Sequence, residues 1–196
     1  MGTRGRYLSV SPLAPLGLFA FAPTAGGDYE SIETIVVGSG GADSVTFSSI
    51  PTTYKHLQLR YIARTSRSEA DDGFSIQLNG DTGTNYRYHY LAGSGSSASA
   101  YSEGSMTGYA VPYVSAGTAP TNAFGVGICD LLDYRSTNKY KVARIIGGED
   151  GNGGGWVALN SGLWLNTAAV TSIKCQTNTL GYFVQYSHFA LYGIKG

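Results

Sequence analysis

An all-β fold, a single antiparallel β-sandwich of jelly-roll type with about eleven strands and an extended N-terminal arm, follows from three observations. Apolar residues alternate with polar ones in runs of five to ten, the period of a strand with one buried face. Gly, Ser, Asn and Asp clusters punctuate these runs every 8–14 residues, and no stretch carries a helical period. The composition agrees: 28 Gly and 15 Tyr in 196 residues, with 13% charged, suit a β-rich chain with many tight turns.

Residues 1–28 read as a separate element, a proline-containing docking arm ahead of a sandwich at 29–196. Arg4 and Arg6 precede the apolar run Leu8–Ala22, in outline a signal peptide. Pro12 and Pro15 interrupt that run, and cleavage after Ala22 would place Pro23 next. Leu13, Leu16, Leu18, Phe19 and Phe21 would present a contiguous apolar surface to water, so they are the expected contacts of an arm that seats on a neighbouring subunit or folds back on its own domain. No 18-residue apolar stretch exists, and no membrane insertion is expected.

The first strand comes from Ile32–Val37 and ends at Gly38-Ser39-Gly40-Gly41; a second covers Ser44–Ser48, before Ile50-Pro51. Lys55–Arg64 is the clearest: Leu57, Leu59, Tyr61 and Ala63 face in, Gln58, Arg60 and Arg64 out. Ser66–Gly73 reads as a polar loop with the solvated pair Asp71 and Asp72. Phe74, Ile76 and Leu78 alternate up to the turn Asn79-Gly80-Asp81. In Asn85–Leu91, Tyr86, Tyr88 and Tyr90 share one face against Arg87 and His89.

Gly93–Gly104 is rich in Gly, Ser and Ala and is expected to be a flexible excursion. Strands follow at Met106–Val114 and Ala123–Leu132. The polar turn Asp133–Lys139 leads to a strand through Tyr140, Val142, Arg144 and Ile146, and Gly147–Gly155 reads as a loop. Trp156–Leu165, Val170–Thr177 and a long closing strand, Gly181–Lys195, complete the set. The last is expected inside a sheet, with Tyr182, Val184, Tyr186, His188, Ala190, Tyr192 and Ile194 forming an apolar ladder on one face.

Little in the chain points to chemistry. Lys plus Arg and Asp plus Glu are 13 each, which argues against a nucleic-acid partner. His56, His89 and His188 lie in separate strands with no HxH or HExxH spacing, and no GxSxG or P-loop motif is present. Asp150-Gly151-Asn152-Gly153-Gly154 opens like a calcium loop, but Ser161 stands where a bidentate Glu is needed. No cofactor, metal or enzymatic activity is therefore expected. Cys129 and Cys175 read as buried thiols, a cross-sheet disulfide being the alternative.

The stronger signal is aromatic. Tyr86, Tyr88, Tyr90, Tyr101, Tyr109 and Tyr113 cluster between two Gly-rich stretches. Exposed, such rings stack on sugars or anchor interfaces; buried, they pair across strands. They are the candidate surface or glycan contacts, while Trp156 and Trp164 are assigned to the core.

Several strings, YESIETIVVGSGGADSVTFSSIPTTYKHLQLR, LNGDTGTNYRYHYL, LLDYRSTNKYKV, SGLWLNTAAVTSI and FVQYSHFALYGIKG, taken in this order over residues 29–196, resemble a family of small structural proteins of tailed bacteriophages, especially those of cyanobacteria and other aquatic bacteria. The resemblance implies a non-enzymatic virion protein of tail-fibre, baseplate or capsid-surface type, assembled in the host cytoplasm. It implies other virion proteins as partners (tail, baseplate or major capsid protein), and by analogy a homo-oligomer, a trimer foremost. Tail attachment with host-surface contact and capsid decoration both remain open at this point.

Overall fold

The computed structural model describes residues 27–177 and 181–196. Among them there is no helix; twelve strands form two antiparallel sheets. In chain order the strands are β1 (Tyr29–Val36), β2 (Ser44–Phe47), β3 (His56–Ala63), β4 (Asp71–Leu78), β5 (Tyr86–Gly93) and β6 (Ala98–Met106). They continue with β7 (Tyr109–Ser115), β8 (Gly125–Leu131), β9 (Lys141–Asp150), β10 (Gly155–Trp164), β11 (Ile173–Thr177) and β12 (His188–Ile194).

The larger sheet runs β1-β12-β3-β8-β9-β10-β5-β6 and the smaller β2-β11-β4-β7. Without the hairpins β5–β6 and β9–β10, the eight remaining strands fall into two four-stranded sheets, β1-β12-β3-β8 and β2-β11-β4-β7. That nested pairing is the jelly roll. Both hairpins add to the same edge of the larger sheet, beyond β8. The smaller sheet ends at β7, which packs on β9 and β10, so β5 and β6 project past it.

The core lies between the sheets. Leu57, Leu59, Tyr61 and Ala63 of β3 point in as their alternation requires, and so do Phe74, Ile76 and Leu78 of β4. Phe74, fully buried, meets three rings edge-on: Tyr61 at 5.0 Å, Phe183 at 5.4 Å and Phe189 at 5.9 Å between centroids. Gly127 of β8 and Gly147 of β9 pair directly and lie beneath the Tyr61 phenol, where side chains would collide with it. Cys129 and Cys175 are free and buried, and burial pushes the Cys129 thiol up to about 12. Lys141 is also buried, its ammonium donating to the carbonyls of Ser136, Lys139 and Thr167.

Four expectations are corrected. Gly93–Gly104 is no free excursion: Ser94 N–H donates to the Ser97 carbonyl with Gly95 at φ +83°, and the chain returns as β6. That is the twelfth strand. The Gly147–Gly155 loop shrinks to the tip of the β9–β10 hairpin, where Asn152 and Gly153 adopt positive φ. Asp72 is not solvated; it is 4% exposed and accepts from Thr65 Oγ1 (2.9 Å), Gly73 N (2.8 Å) and Arg67 Nη1 (3.2 Å).

The closing strand is internal but shorter than expected. A turn at Tyr186 (φ +73°) separates β12 from the preceding residues. The face that enters the core carries Phe183, Ser187, Phe189 and Leu191, whereas Tyr182 and Tyr186 of the expected ladder are exposed.

Candidate functional site

The six candidate tyrosines divide by depth. Tyr86 and Tyr109 are core residues, 0% and 1% exposed, and are not surface contacts. They meet edge-on at 5.2 Å, and Tyr86 stacks on the buried Trp164. The reason is β7, which covers this part of β5 and β10. Further along β5, Tyr88 is still buried at 8% exposure, Tyr90 is half-buried and within reach of Tyr113 of β7, and Tyr101 of β6 is open to solvent.

These three rings form one group, with Tyr88 and Tyr90 stacked at 6.1 Å, and Tyr101 at 6.1 Å and 5.8 Å from them. Cross-strand register makes the group, because Tyr90 pairs with Tyr101 and Tyr88 with Glu103. The Glu103 carboxylate accepts from Tyr88 Oη at 3.1 Å and from Tyr101 Oη at 3.5 Å. Tyr101 is half exposed. On the other side Tyr113 of β7 lies flat on Trp156 of β10, centroids 4.6 Å apart and planes within 8°. Burial, with a hydrogen bond to Tyr90, pushes the Tyr113 phenol up to about 12. Tyr113 also holds φ +57°, an uncommon backbone state for an aromatic residue.

Trp156, assigned to the core from the sequence, is only half-buried. Acidic groups gather beside it. Glu149 pairs with Trp156 across the β9–β10 hairpin, and its pKa is raised by burial and by the like charges of Asp71 and Asp150. Burial raises Asp71 as well. The result is an aromatic ledge with carboxylates at both ends, which offers flat faces for stacking and acceptors for hydroxyl groups.

The three histidines lie apart from one another. His56 Nδ1 accepts from Asp133 N at 3.0 Å, His89 is exposed on β5, and His188 is half-buried on β12. Among the described residues no group of three His, Cys, Asp or Glu side chains is placed to hold a metal ion. Leu13, Leu16, Leu18, Phe19 and Phe21 of the expected docking arm lie outside the described residues.

A second surface had no counterpart in the sequence reading. On the outward face of the larger sheet, register aligns Val36, Ile62, Val126 and Val157 in one row across the strands. The adjacent row holds Arg60, Ile128, Ile146, Leu159 and Leu91. Most of these side chains are 44–61% exposed. The next row, with Gln58, Asp130 and Arg144, is polar, and its hydrogen bonds reach back to Arg60. Gln58 Nε2 and Arg144 Nη2 donate to Asp130, and Arg60 Nε donates to Gln58 Oε1, each at 2.7 Å. The two rows thus form a largely apolar belt, interrupted by His188 and Arg60 and bordered by polar groups. A groove of about 720 Å³ lies over β12, β3, β8, β9 and β10 on this face.

Compared with models of protein families, with curated proteins and with solved structures, the chain matches none.

Proposed function

We propose that this chain is a non-enzymatic structural protein of a tailed-bacteriophage particle, a short tail-fibre or baseplate-attached protein. In this reading residues 1–28 attach it to the particle, and the sandwich meets the host surface through the aromatic ledge. The observation that carries the host-contact reading is the ledge, where Tyr90, Tyr101, Tyr113 and Trp156 are held as ready-made stacking faces, with the buried Tyr88 packed against Tyr90 and Tyr101. Rings fixed by their neighbours lose little side-chain entropy on stacking against a sugar. The order of residue strings described above supports a virion origin. Copies are taken to associate, a trimer foremost, with tail, baseplate or capsid proteins as neighbours.

Capsid decoration is the second reading. The outward belt favours it, since apolar surface of this extent suits a protein that ends in an assembly.

Cryo-electron microscopy of purified particles separates the two. Density at the tail or baseplate supports the fibre reading, density spread over the icosahedral shell supports decoration, and absence from the particle overturns both. For the ledge, Trp156→Ala and Tyr101→Ala are expected to weaken binding to host polysaccharide by about tenfold each, on the order of 1–2 kcal/mol for a lost stacking contact. Unchanged binding by both variants overturns the glycan role.

A further inference from the structure

The belt carries opposite charges at its two ends, in an arrangement that complements itself. Arg60 of β3 is exposed, and its guanidinium is held over the rings of Tyr29, 5.7 Å away, and Tyr192, 5.1 Å away. Asp150, the last residue of β9, is exposed too, with its Oδ1 accepting from Asn152 N at 2.9 Å. Both residues line the groove. Strand register puts Val126 of β8 midway between them. Val126 pairs with Ile62 on one side and with Gly148 on the other. Arg60 lies two residues from Ile62 and Asp150 two residues from Gly148, in opposite directions along the sheet.

The area suits a protein surface rather than a small ligand. Ile62, Val126, Val157, Ile146, Leu159 and Leu91 are 44–61% exposed. At about 100 Å² for a fully exposed side chain of this size, they present roughly 300 Å² of apolar surface. One side of a standard protein–protein interface holds about 450 Å² of apolar surface, so these side chains supply most of it. A small molecule in the groove would leave much of the belt in water. Formal net charge is zero, so no overall repulsion keeps two copies apart.

We propose that two copies of the chain pair face to face through this belt, about a two-fold axis in the plane of contact that crosses Val126, so that Arg60 of each copy meets Asp150 of the other. A contact of this symmetry buries the same patch on both copies and repeats every complementary pair twice. Arg60, which interrupts the apolar rows, then faces a carboxylate instead of apolar surface. The pairing concerns the isolated chain and does not rest on the virion reading, and it is a dimer where analogy suggests a trimer.

Sedimentation equilibrium of the full-length chain at micromolar concentration tests it, and the expected species is a dimer. Val126→Arg should weaken the dimer by at least about thirtyfold. Thr46→Arg, on the exposed side of β2 in the other sheet, should leave it unchanged. Arg60→Glu and Asp150→Arg should each weaken it by about tenfold, and the double variant should regain most of that loss, because the exchanged charges meet again across the axis. Val126→Cys reads the axis directly: mild oxidation should join two chains through a disulfide, while Thr46→Cys should give no such product. Cys129 and Cys175 are buried and stay out of reach.

A monomer at up to about 100 μM overturns the proposal and leaves the belt to residues 1–28 or to a different protein. A trimer, a dimer indifferent to Val126→Arg, or charge variants that the double variant does not rescue overturn it equally. Should Val126→Arg fail to fold, Val157→Arg on the same row serves in its place. Because no particle is present, failure here leaves the location of the protein in virions as a separate result.

Discussion

Phe74→Ala removes the ring on which the core converges. Its side chain is fully buried and fills the space among Tyr61 of β3, Phe183, and Phe189 of β12, so both sheets lose a shared neighbour. Deleting a buried Phe costs about 3–5 kcal/mol from lost transfer energy and the cavity left behind. Three edge-to-face contacts at about 0.5–1.5 kcal/mol each place this site at the upper end. Against a total of roughly 5–15 kcal/mol, that is a large fraction of the stability. Urea unfolding, extrapolated linearly, measures it, and the melting temperature should fall by about 10 °C or more. Phe74→Leu retains most of the volume but none of the ring edges, and should recover more than half of the loss. A Phe74→Ala loss under about 1 kcal/mol with an unchanged denaturant slope would refute the picture of a ring shared by both sheets.

Asp81 governs the β4–β5 turn, where its carboxylate accepts from Trp164 Nε1 at 2.7 Å, Gly83 N at 2.8 Å and Asn85 Nδ2 at 2.9 Å. Burial alone would raise its pKa, but these donors outweigh burial and lower it. Its stabilisation is therefore complete above the ordinary Asp value of about 3.9 and lost as pH falls through the lower folded value. Asp81→Ala should cost about 2–3 kcal/mol at neutral pH and remove that part of the acid sensitivity, both read by urea midpoints across pH. At the Tyr61 site the two sides should respond oppositely. Gly127→Val drives a side chain into the phenol and to within 2.7 Å of the Ile146 carbonyl, which should cost about 1–3 kcal/mol or more by thermal melting. Tyr61→Phe removes a buried hydroxyl that has no hydrogen-bond partner, so it should be neutral within about 1 kcal/mol. A large loss there would mean that the hydroxyl is satisfied after all.

How much of this was legible in the sequence depends on how many faces of a residue are decided locally. β3 could be read directly, because one side of it packs on the core and the alternation says so. β6 could not: nearly all its residues are exposed on both faces, so Ser, Ala and Gly leave no periodic signal and only pairing with β5 makes it a strand. Asp72 reads as a surface acid until Thr65 and Arg67 are brought to it. The tyrosines of β5 were correctly placed on one face, yet which of them reach solvent is set by where β7 ends, a property of the other sheet. The belt was hidden for a related reason. Val126, Ile146 and Val157 sit between inward-facing residues in strands apolar on both sides, and such strands look like the interior of a protein.

The pairing of β1 with β12 has a consequence for synthesis of the chain. β12 lies between β1 and β3 and follows every other strand of the sandwich in chain order, so β1 has no neighbour in its sheet until β12 is made. Until then the nascent sandwich carries an unpaired edge and an uncovered aromatic core. Folding is thus a single late event that closes the sheet over long sequence distances. Chains ended before Gly181 would be aggregation-prone debris rather than smaller working versions, because the sandwich closes only once β12 is present.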